Sequence, residues 1–151
     1  MLAKVPWPYS LADAEAFVSR QRPASEAFFL ILSHEGEHPR LVGGIGLAPT
    51  DEGHELGYWL TPDAWGRGYA TEAGQAVVSI ARHGLGLKRL HAGHFVDNPA
   101  SGRVLQKIGF RATGVIMGRY SAGRGGIVPS RKFELDLCEE ADADDSRAMA
   151  A

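Results

Sequence analysis

The segment WGRGYA at residues 65–70 places two glycines between a predicted strand and the start of a predicted helix. The first turn of a helix has about four backbone N–H groups without helical partners and carries roughly half a positive charge. Glycine tolerates positive φ angles and lets a ligand approach the backbone closely. The turn is therefore predicted to bind a phosphate or pyrophosphate group. The alternative is a tight turn whose glycines serve only its geometry.

Two common phosphate-binding motifs do not describe this turn. A P-loop requires Gly-Lys-Ser or Gly-Lys-Thr after four spacer residues, and the sequence does not contain it. A dinucleotide-binding GxGxxG motif requires a third glycine at the position where Thr71 stands. Another class of phosphate site is needed to account for the turn.

The composition is typical of one globular domain. The chain has 151 residues, of which 44% are hydrophobic, and its formal net charge is −2. Lys and Arg are scattered among Asp and Glu, which argues against a nucleic-acid-binding surface. Cys138 is the single cysteine, so an internal disulfide and a zinc site of paired cysteines are excluded, and no metal is expected. Since the sequence shows no signal-like segment and no apolar run of ~18 residues, a cytoplasmic location away from membranes is expected.

Hydrophobic periodicity and capping residues divide the chain into helices and strands. Helices are predicted over residues 11–20 and 70–83, and from Pro99 to just before Gly109 with Asn98 as N-cap. Strands are predicted over residues 27–33, 40–48, 54–60, 89–96, 111–118 and 131–137. This order predicts an α/β fold of the mixed α+β kind, with helices on the faces of one sheet. Residues 1–138 are expected to form a single domain, and the acidic, Ala-rich residues 139–151 a disordered tail.

The first helix has a clear start signal. Ser10 and Asp13 are spaced as a capping box. Leu11, Phe17 and Val18 recur at helical spacing, which predicts one apolar face.

The predicted strand and turn together resemble a known family. The sequence ELGYWLTPDAWGRGYATEA at residues 55–73 resembles the acetyl-CoA pyrophosphate loop of the GNAT superfamily of acetyltransferases, and in particular its ribosomal-protein N-acetyltransferase branch, called RimJ/RimL-like. The sequence DNPASGRVLQKIGF at residues 97–110 is similar to that branch's Asn-x-x-Ser helix followed by Gly-Phe. The similarity extends over about residues 7–137. Trp65 occupies the superfamily's Arg or Gln position, where this branch often has an aromatic residue.

The resemblance implies the GNAT fold, in which a mixed, mostly antiparallel and twisted sheet is flanked by helices, and it implies acetyl-CoA as co-substrate. The residues implied to contact acetyl-CoA are Leu60, Trp65, Gly66, Arg67, Gly68, Tyr69, Ala70, Thr71, Asn98 and Ser101. The amides of residues 66–70 would hold the pyrophosphate, the Leu60 backbone would pair with the pantetheine arm, and Asn98 would hydrogen-bond the pantetheine region. Taken alone, Asn98 is equally an ordinary N-cap.

Ser101 and Glu55 are the candidate catalytic residues. The resemblance implies that Ser101 lies near the thioester sulfur as proton donor to the leaving thiolate; its alternative is a polar residue in a first helical turn. Glu55 is the candidate base because it begins the strand that leads into the turn and shares a face with Trp59. The alternative for Glu55 is a solvated carboxylate, and His91 and His94 are weaker candidate bases.

Four basic residues are candidates for outer contacts. Lys107 and Arg103 follow Asn98 on its helix, from which they could approach the cofactor's 3′-phosphate. Arg124 and Arg131 belong to the glycine-rich segment 121–131, which is predicted to be a mobile loop that could contact an acidic acceptor. The alternative for both pairs of residues is that they are solvated surface charges that contact no ligand.

The function implied by the resemblance is acetyl-CoA-dependent N-acetyl transfer to a primary amine, either a protein N-terminal α-amine or a small-molecule amine. An α-amine, with a pKa of about 7.7–8.0, is substantially neutral near physiological pH and needs less help from a base than a lysine amine at about 10.4. The alternative is a non-catalytic acyl-CoA-binding module or a truncated pseudo-enzyme.

The start of the chain departs from the family pattern. Family members normally have a further strand and helix ahead of residue 6, so the first strand and most of the first helix are expected to be missing. A missing first strand would leave an open sheet edge, at which pairing of two copies into a homodimer is one expected outcome.

Overall fold

A computed structural model describes residues 5–138, so the predicted tail at 139–151 lies outside the described residues. The helices of this part are α1 (Leu11–Ser19), α2 (Tyr69–Ser79) and α3 (Pro99–Lys107), and a π-helical turn at Ile80–Gly84 extends α2. The strands are β1 (Ala27–Ser33), β2 (Arg40–Thr50), β3 (Gly53–Leu60), β4 (Arg89–Phe95), β5 (Arg111–Ser121) and β6 (Gly126–Asp136). The predicted element order is confirmed.

The strands form one six-stranded sheet in the order β1-β2-β3-β4-β6-β5. Every neighbouring pair is antiparallel except β3 and β4, which are parallel because α2 carries the chain back between them. The prediction of a mixed, mostly antiparallel sheet with flanking helices is confirmed.

The hydrophobic core lies between one face of the sheet and the helices α2 and α3. Its most completely buried large side chains come from β2, β4 and α3 and are Val42, Ile45, Leu47, Leu90 and Leu105. Burial of a side chain of this kind contributes about 1.5–3 kcal/mol. This packing fixes α2 and α3 side by side, with both N-termini close to the centre of the sheet.

Helix α1 begins as predicted but is not buried. Ser10 Oγ accepts a hydrogen bond from the Asp13 amide at 3.2 Å, and the Asp13 carboxylate accepts one from the Ser10 amide at 2.8 Å. The predicted apolar face is nevertheless exposed at Leu11 and Val18, and Phe17 meets the Phe28 ring at 5.3 Å. The capping box determines where a helix starts, whereas burial depends on which elements lie against it.

The glycine-rich segment 121–131 is not the loop that its composition predicts. Strand β5 runs on to Ser121 and β6 begins at Gly126, with a short 3₁₀ turn between them. Pairing of Tyr120 with Ile127 places these residues in the sheet. Pairing with a neighbouring strand overrides the low strand propensity of glycine, so the prediction of a mobile loop was wrong.

Strands β3 and β4 diverge after a short parallel contact. Their registered pairs join residues 54–56 of β3 to residues 90–92 of β4, although β3 continues to Leu60 and β4 to Phe95. The backbone of both strands therefore faces a gap in the middle of the sheet.

Gly43 lies beside Leu60, where β3 reaches the end of this gap. A Cβ added at Gly43 would lie 2.3 Å from the Trp59 carbonyl oxygen and 2.6 Å from Leu60 Cδ2. We expect Gly43→Ala to lower the free energy of unfolding by ~2–3 kcal/mol, because backbone atoms cannot yield as a flexible side chain can. Gly126→Ala is the matched control, since its Cβ would meet no described atom within 4 Å. Urea denaturation of both variants tests this, and equal stabilities would contradict it.

Candidate active site

The gap between β3 and β4 opens into a cavity of about 940 Å³. Its walls are residues 57–60 of β3, residues 93–95 of β4, and the first turns of α2 and α3. The cavity crosses the sheet, because Phe28, Glu55 and Arg119 line it as well. The side chains of Phe28 and Glu55 alternate with the core residues Ile31 and Leu56, and thus point to the opposite face.

The WGRGYA turn forms one end of this cavity. Gly66 and Gly68 have φ angles of 72° and 87°, in the left-handed region that favours glycine. Gly68 is the N-cap of α2, and its carbonyl accepts the first helical hydrogen bonds, from the amides of Thr71 and Glu72 at 3.0 Å. A Cβ at either glycine would meet no described atom within 4 Å. The amides ahead of Thr71 are thus approachable, and the turn fits a pyrophosphate group.

The other turn residues differ in where their side chains lie. Trp65 is exposed, and its Nε1 donates to the Leu60 carbonyl at 3.1 Å, which leaves one lone pair of that oxygen for another partner. The Tyr69 hydroxyl is 2.6 Å from Ser33 Oγ, a bond that ties the turn to β1. Leu60, Trp65, Gly66, Gly68, Tyr69, Ala70 and Thr71 all line the cavity.

Arg67 is the cofactor candidate that does not line the cavity. Its guanidinium pairs with Glu35 and lies 5.6 Å from the centroid of the Tyr69 ring. Only its backbone amide remains in the turn as a candidate contact to a phosphate.

The first turn of α3 forms a second wall. Asn98 Oδ1 accepts a hydrogen bond from the Ser101 amide at 3.4 Å, which confirms Asn98 as N-cap. Because this oxygen is engaged, a hydrogen bond from Asn98 to a ligand would come from its Nδ2 group. Ser101 Oγ lies 2.6 Å from the Tyr58 hydroxyl on β3.

Tyr58 links β3 to the first turn of α3 through this hydrogen bond. It packs against the core, and burial raises the pKa of its phenol, while the hydrogen bond with Ser101 lowers it. The phenol is therefore neutral at physiological pH. Tyr58 was missed from the sequence because strand alternation places it with Leu56 and Leu60 on the core face, where an aromatic residue needs no functional explanation.

Glu55 lies on the cavity wall with both carboxylate oxygens engaged. Arg119 donates to Oε1 through Nη1 and to Oε2 through Nη2, the latter at 2.9 Å. The hydrogen bonds with Glu55 raise the pKa of Arg119, against the effect of burial, so this guanidinium is fully charged. The two bonds use one lone pair on each oxygen, so the carboxylate keeps a lone pair on each for a further donor. Arg119 was missed from the sequence because β5 was predicted to end before it.

The two candidate histidines are buried, and each has a hydrogen-bond partner. His91 Nε2 is 2.9 Å from Thr50 Oγ1, and His91 does not line the cavity. His94 Nδ1 donates to the Phe95 carbonyl at 2.8 Å, and its ring fills the space beside Gly102, where an added Cβ would be 2.7 Å from Nε2. This geometry favours a structural role for both side chains.

The basic candidates divide into two groups. Arg103 and Lys107 are exposed at the edge of the cavity on α3. Arg124 lines the cavity but pairs with Asp97 at 2.9 Å and lies 4.8 Å from the centroid of the Phe95 ring. Arg131 is on β6, outside the cavity lining. Arg103 and Lys107 are thus the cations best placed to meet a phosphate.

Within residues 5–138, no three His, Cys, Asp or Glu side chains are arranged to hold a metal ion. None of the helices described is long and apolar enough to cross a membrane.

Residues 1–111 match the model of the acetyltransferase (GNAT) domain. That match extends over more than half of the sequence and contains the turn, the gap and the first turn of α3. The chain therefore belongs to the GNAT family of acetyltransferases.

Curated relatives in this family are named N-acetyltransferases. The uncharacterized N-acetyltransferase YoaA of Bacillus subtilis is 42% identical over 79 residues, which cover 50% of this chain and 45% of YoaA. The uncharacterized N-acetyltransferase YnaD of the same organism is 33% identical over 105 residues, which cover 68% of this chain and 60% of YnaD. The chain spans about half the length of the curated relatives it matches.

Solved structures share the fold. A GNAT-family acetyltransferase from Bacillus anthracis has a TM-score of 0.70 at 24% identity, with 85% of this chain and 76% of that chain covered. The spermidine N-acetyltransferase of Vibrio cholerae, in complex with CoA and spermine, has a TM-score of 0.68 at 16% identity over the same shares. The mixed sheet and its flanking helices are thus those of GNAT acetyltransferases.

Proposed function

We propose that this protein is an acetyl-CoA-dependent N-acetyltransferase of the RimJ/RimL-like branch, which transfers an acetyl group to a primary amine. The observation that carries the proposal is that the glycine turn of α2 and Ser101 of α3 open into one cavity where β3 and β4 diverge. An anion-binding turn and a hydroxyl donor at opposite ends of a gap suit a ligand with a pyrophosphate and a distant thioester.

Each wall of the cavity has a role in this reaction. Acetyl-CoA supplies the activated acetyl group as a thioester. The amides of residues 66–70 hold the pyrophosphate, with Arg103 and Lys107 near the cofactor's 3′-phosphate. The free backbone groups of β3 near Leu60 pair with the pantetheine arm and donate to the developing oxyanion. Ser101 donates to the departing sulfur, whose pKa is about 8.5 by analogy with cysteine.

The acceptor enters from the face of the sheet that carries Phe28, Glu55 and Arg119. The solved Vibrio cholerae relative holds spermine together with CoA, which supports an amine acceptor here. A small-molecule amine and a protein N-terminal α-amine both fit this proposal. In this proposal the Glu55 carboxylate, which is held by Arg119, lies beside the incoming amine.

Glu55→Gln tests the proposed base. A neutral amide cannot accept the amine proton, so we expect activity to fall most at low pH, where more of the amine is protonated, and to approach wild type above the pKa of the acceptor amine, which is about 7.7–8.0 for an α-amine. Glu52→Gln is the control, because Glu52 is an exposed carboxylate paired with Lys132 away from the cavity. The pH profile of kcat/KM is measured with thermal stability in parallel, because Arg119 loses its partner. A profile parallel to wild type would exclude Glu55 as base.

Thiol release from acetyl-CoA by the purified chain tests the function as a whole. A mixed panel of N-terminal peptides and small amines, polyamines among them, serves as acceptor, and CoA affinity is measured by calorimetry on the same sample. Amine-dependent release of thiol supports the proposal and identifies the acceptor class. Binding without turnover supports the second candidate, a non-catalytic acyl-CoA-binding module.

Assembly and location complete the proposal. Within residues 5–138, strand β1 has no partner on its outer side, and β5, the other edge, exposes Val115, Ile116 and Met117. Such edges support a homodimer, which sedimentation velocity would detect. The single cysteine supports a reducing compartment such as the cytoplasm.

A further inference from the structure

Tyr58 and Ser101 form a hydrogen bond that joins β3 to the first turn of α3. The two oxygens are 2.6 Å apart, and both residues line the cavity. A phenol, with a pKa of about 10, is a better hydrogen-bond donor than an aliphatic hydroxyl. Either oxygen can donate in this contact, and acidity favours the phenol as donor and Ser101 Oγ as acceptor.

Both partners are held in place by their own elements. Tyr58 pairs with Ile45 across β2 and β3 and packs against the core, while the amide of Ser101 is capped by Asn98. Burial keeps the phenol protonated, so it stays a donor throughout the physiological range. An accepted bond from Tyr58 leaves the Ser101 hydrogen available for another acceptor, and Ser101 lines the cavity.

We propose that Tyr58 is a positioning residue, which donates to Ser101 Oγ and directs the Ser101 hydroxyl hydrogen toward the thioester sulfur. The proposal rests on the acetyl transfer proposed above. Tyr58 keeps its proton throughout. The amine nitrogen forms a bond to the acetyl carbon, and the electron pair of the C–S bond leaves with the sulfur, which accepts a hydrogen bond from Ser101. The proton lost by the amine goes to Glu55 or water, and the released thiolate takes a proton from water.

A double-mutant cycle separates this role from general packing. We expect Tyr58→Phe to lower kcat about 10-fold with the KM for acetyl-CoA changed less than about twofold, because the ring and its packing are kept. In a Ser101→Ala background the same change should have no further effect, since Tyr58 acts only through Ser101. Tyr120→Phe, at an exposed tyrosine outside the cavity, is the control and should match wild type. Unchanged kcat in Tyr58→Phe, or losses that multiply in the double variant, would overturn the proposal.

Alkaline titration of tyrosine absorbance in the ligand-free chain gives a second measurement that does not depend on turnover. The titration of Tyr58 is identified by its loss in Tyr58→Phe. When the phenol ionises, the Ser101 hydroxyl can turn to donate to the phenolate, and this bond lowers the pKa of Tyr58; Ser101→Ala should therefore raise that pKa further. A shifted titration in a chain without turnover would refute the proposed acetyl transfer while the pair stands. An unshifted titration would refute the pair itself, whatever the turnover.

Discussion

Gly68→Asp is expected to weaken the affinity for CoA by about 100-fold or more. The carboxylate would stand at the N-cap of α2, where the proposed pyrophosphate lies, and like charges brought together in a binding site cost several kcal/mol. At about 1.4 kcal/mol for each tenfold change, that cost corresponds to two orders of magnitude or more. Calorimetric titration with CoA measures the effect directly.

The fold should survive this substitution. Aspartate is a favourable N-cap residue and is one of the few that tolerate a left-handed backbone, so α2 should still form. Gly86→Asp is the matched control, because Gly86 also has a positive φ, of 61°, and open space around it, but lies outside the cavity lining. Gly68→Asn adds similar bulk without charge and should lose less affinity. Wild-type affinity in Gly68→Asp would refute the assignment of the turn.

Ser101→Ala is expected to lower kcat by about 10–100-fold while the affinity for CoA changes less than about twofold. The hydroxyl acts on the departing sulfur only as the C–S bond breaks, so its loss affects the transition state more than binding. Steady-state kinetics and calorimetry on one preparation separate the two effects.

Ser79→Ala is the control for Ser101→Ala, since Ser79 ends α2 outside the cavity lining. Unaltered turnover in Ser101→Ala would remove Ser101 from the mechanism. A large loss of CoA affinity would instead make it a binding residue.

The parts of the site that depend on local rules were predictable from the sequence. Asn98 caps α3, and Gly68 adopts a left-handed conformation at the start of α2, because both effects involve residues within one turn of each other. The limits of β1 were predicted for a similar reason, since its apolar run ends in polar residues on both sides.

The pairs within the cavity depend on contacts between distant parts of the chain. Tyr58 and Ser101 are 43 residues apart, and Glu55 and Arg119 are 64 apart. Strand order and register decide such pairs, and neither follows from periodicity. Strand pairing also explains why β5 and β6 continue into a glycine-rich segment. Their pairing with each other, and not the local composition, determined the structure there.

The short contact of β3 with β4 divides the sheet into two three-stranded leaves, β1-β2-β3 and β4-β6-β5, joined along residues 54–56 and 90–92. A ligand arm that hydrogen-bonds both leaves would act as a further strand between them. How firmly the two leaves are connected then depends on ligand concentration. The free energy of unfolding of the protein rises by RT ln(1 + [L]/Kd). The proposed co-substrate would then stabilise the fold as well as supply the acetyl group.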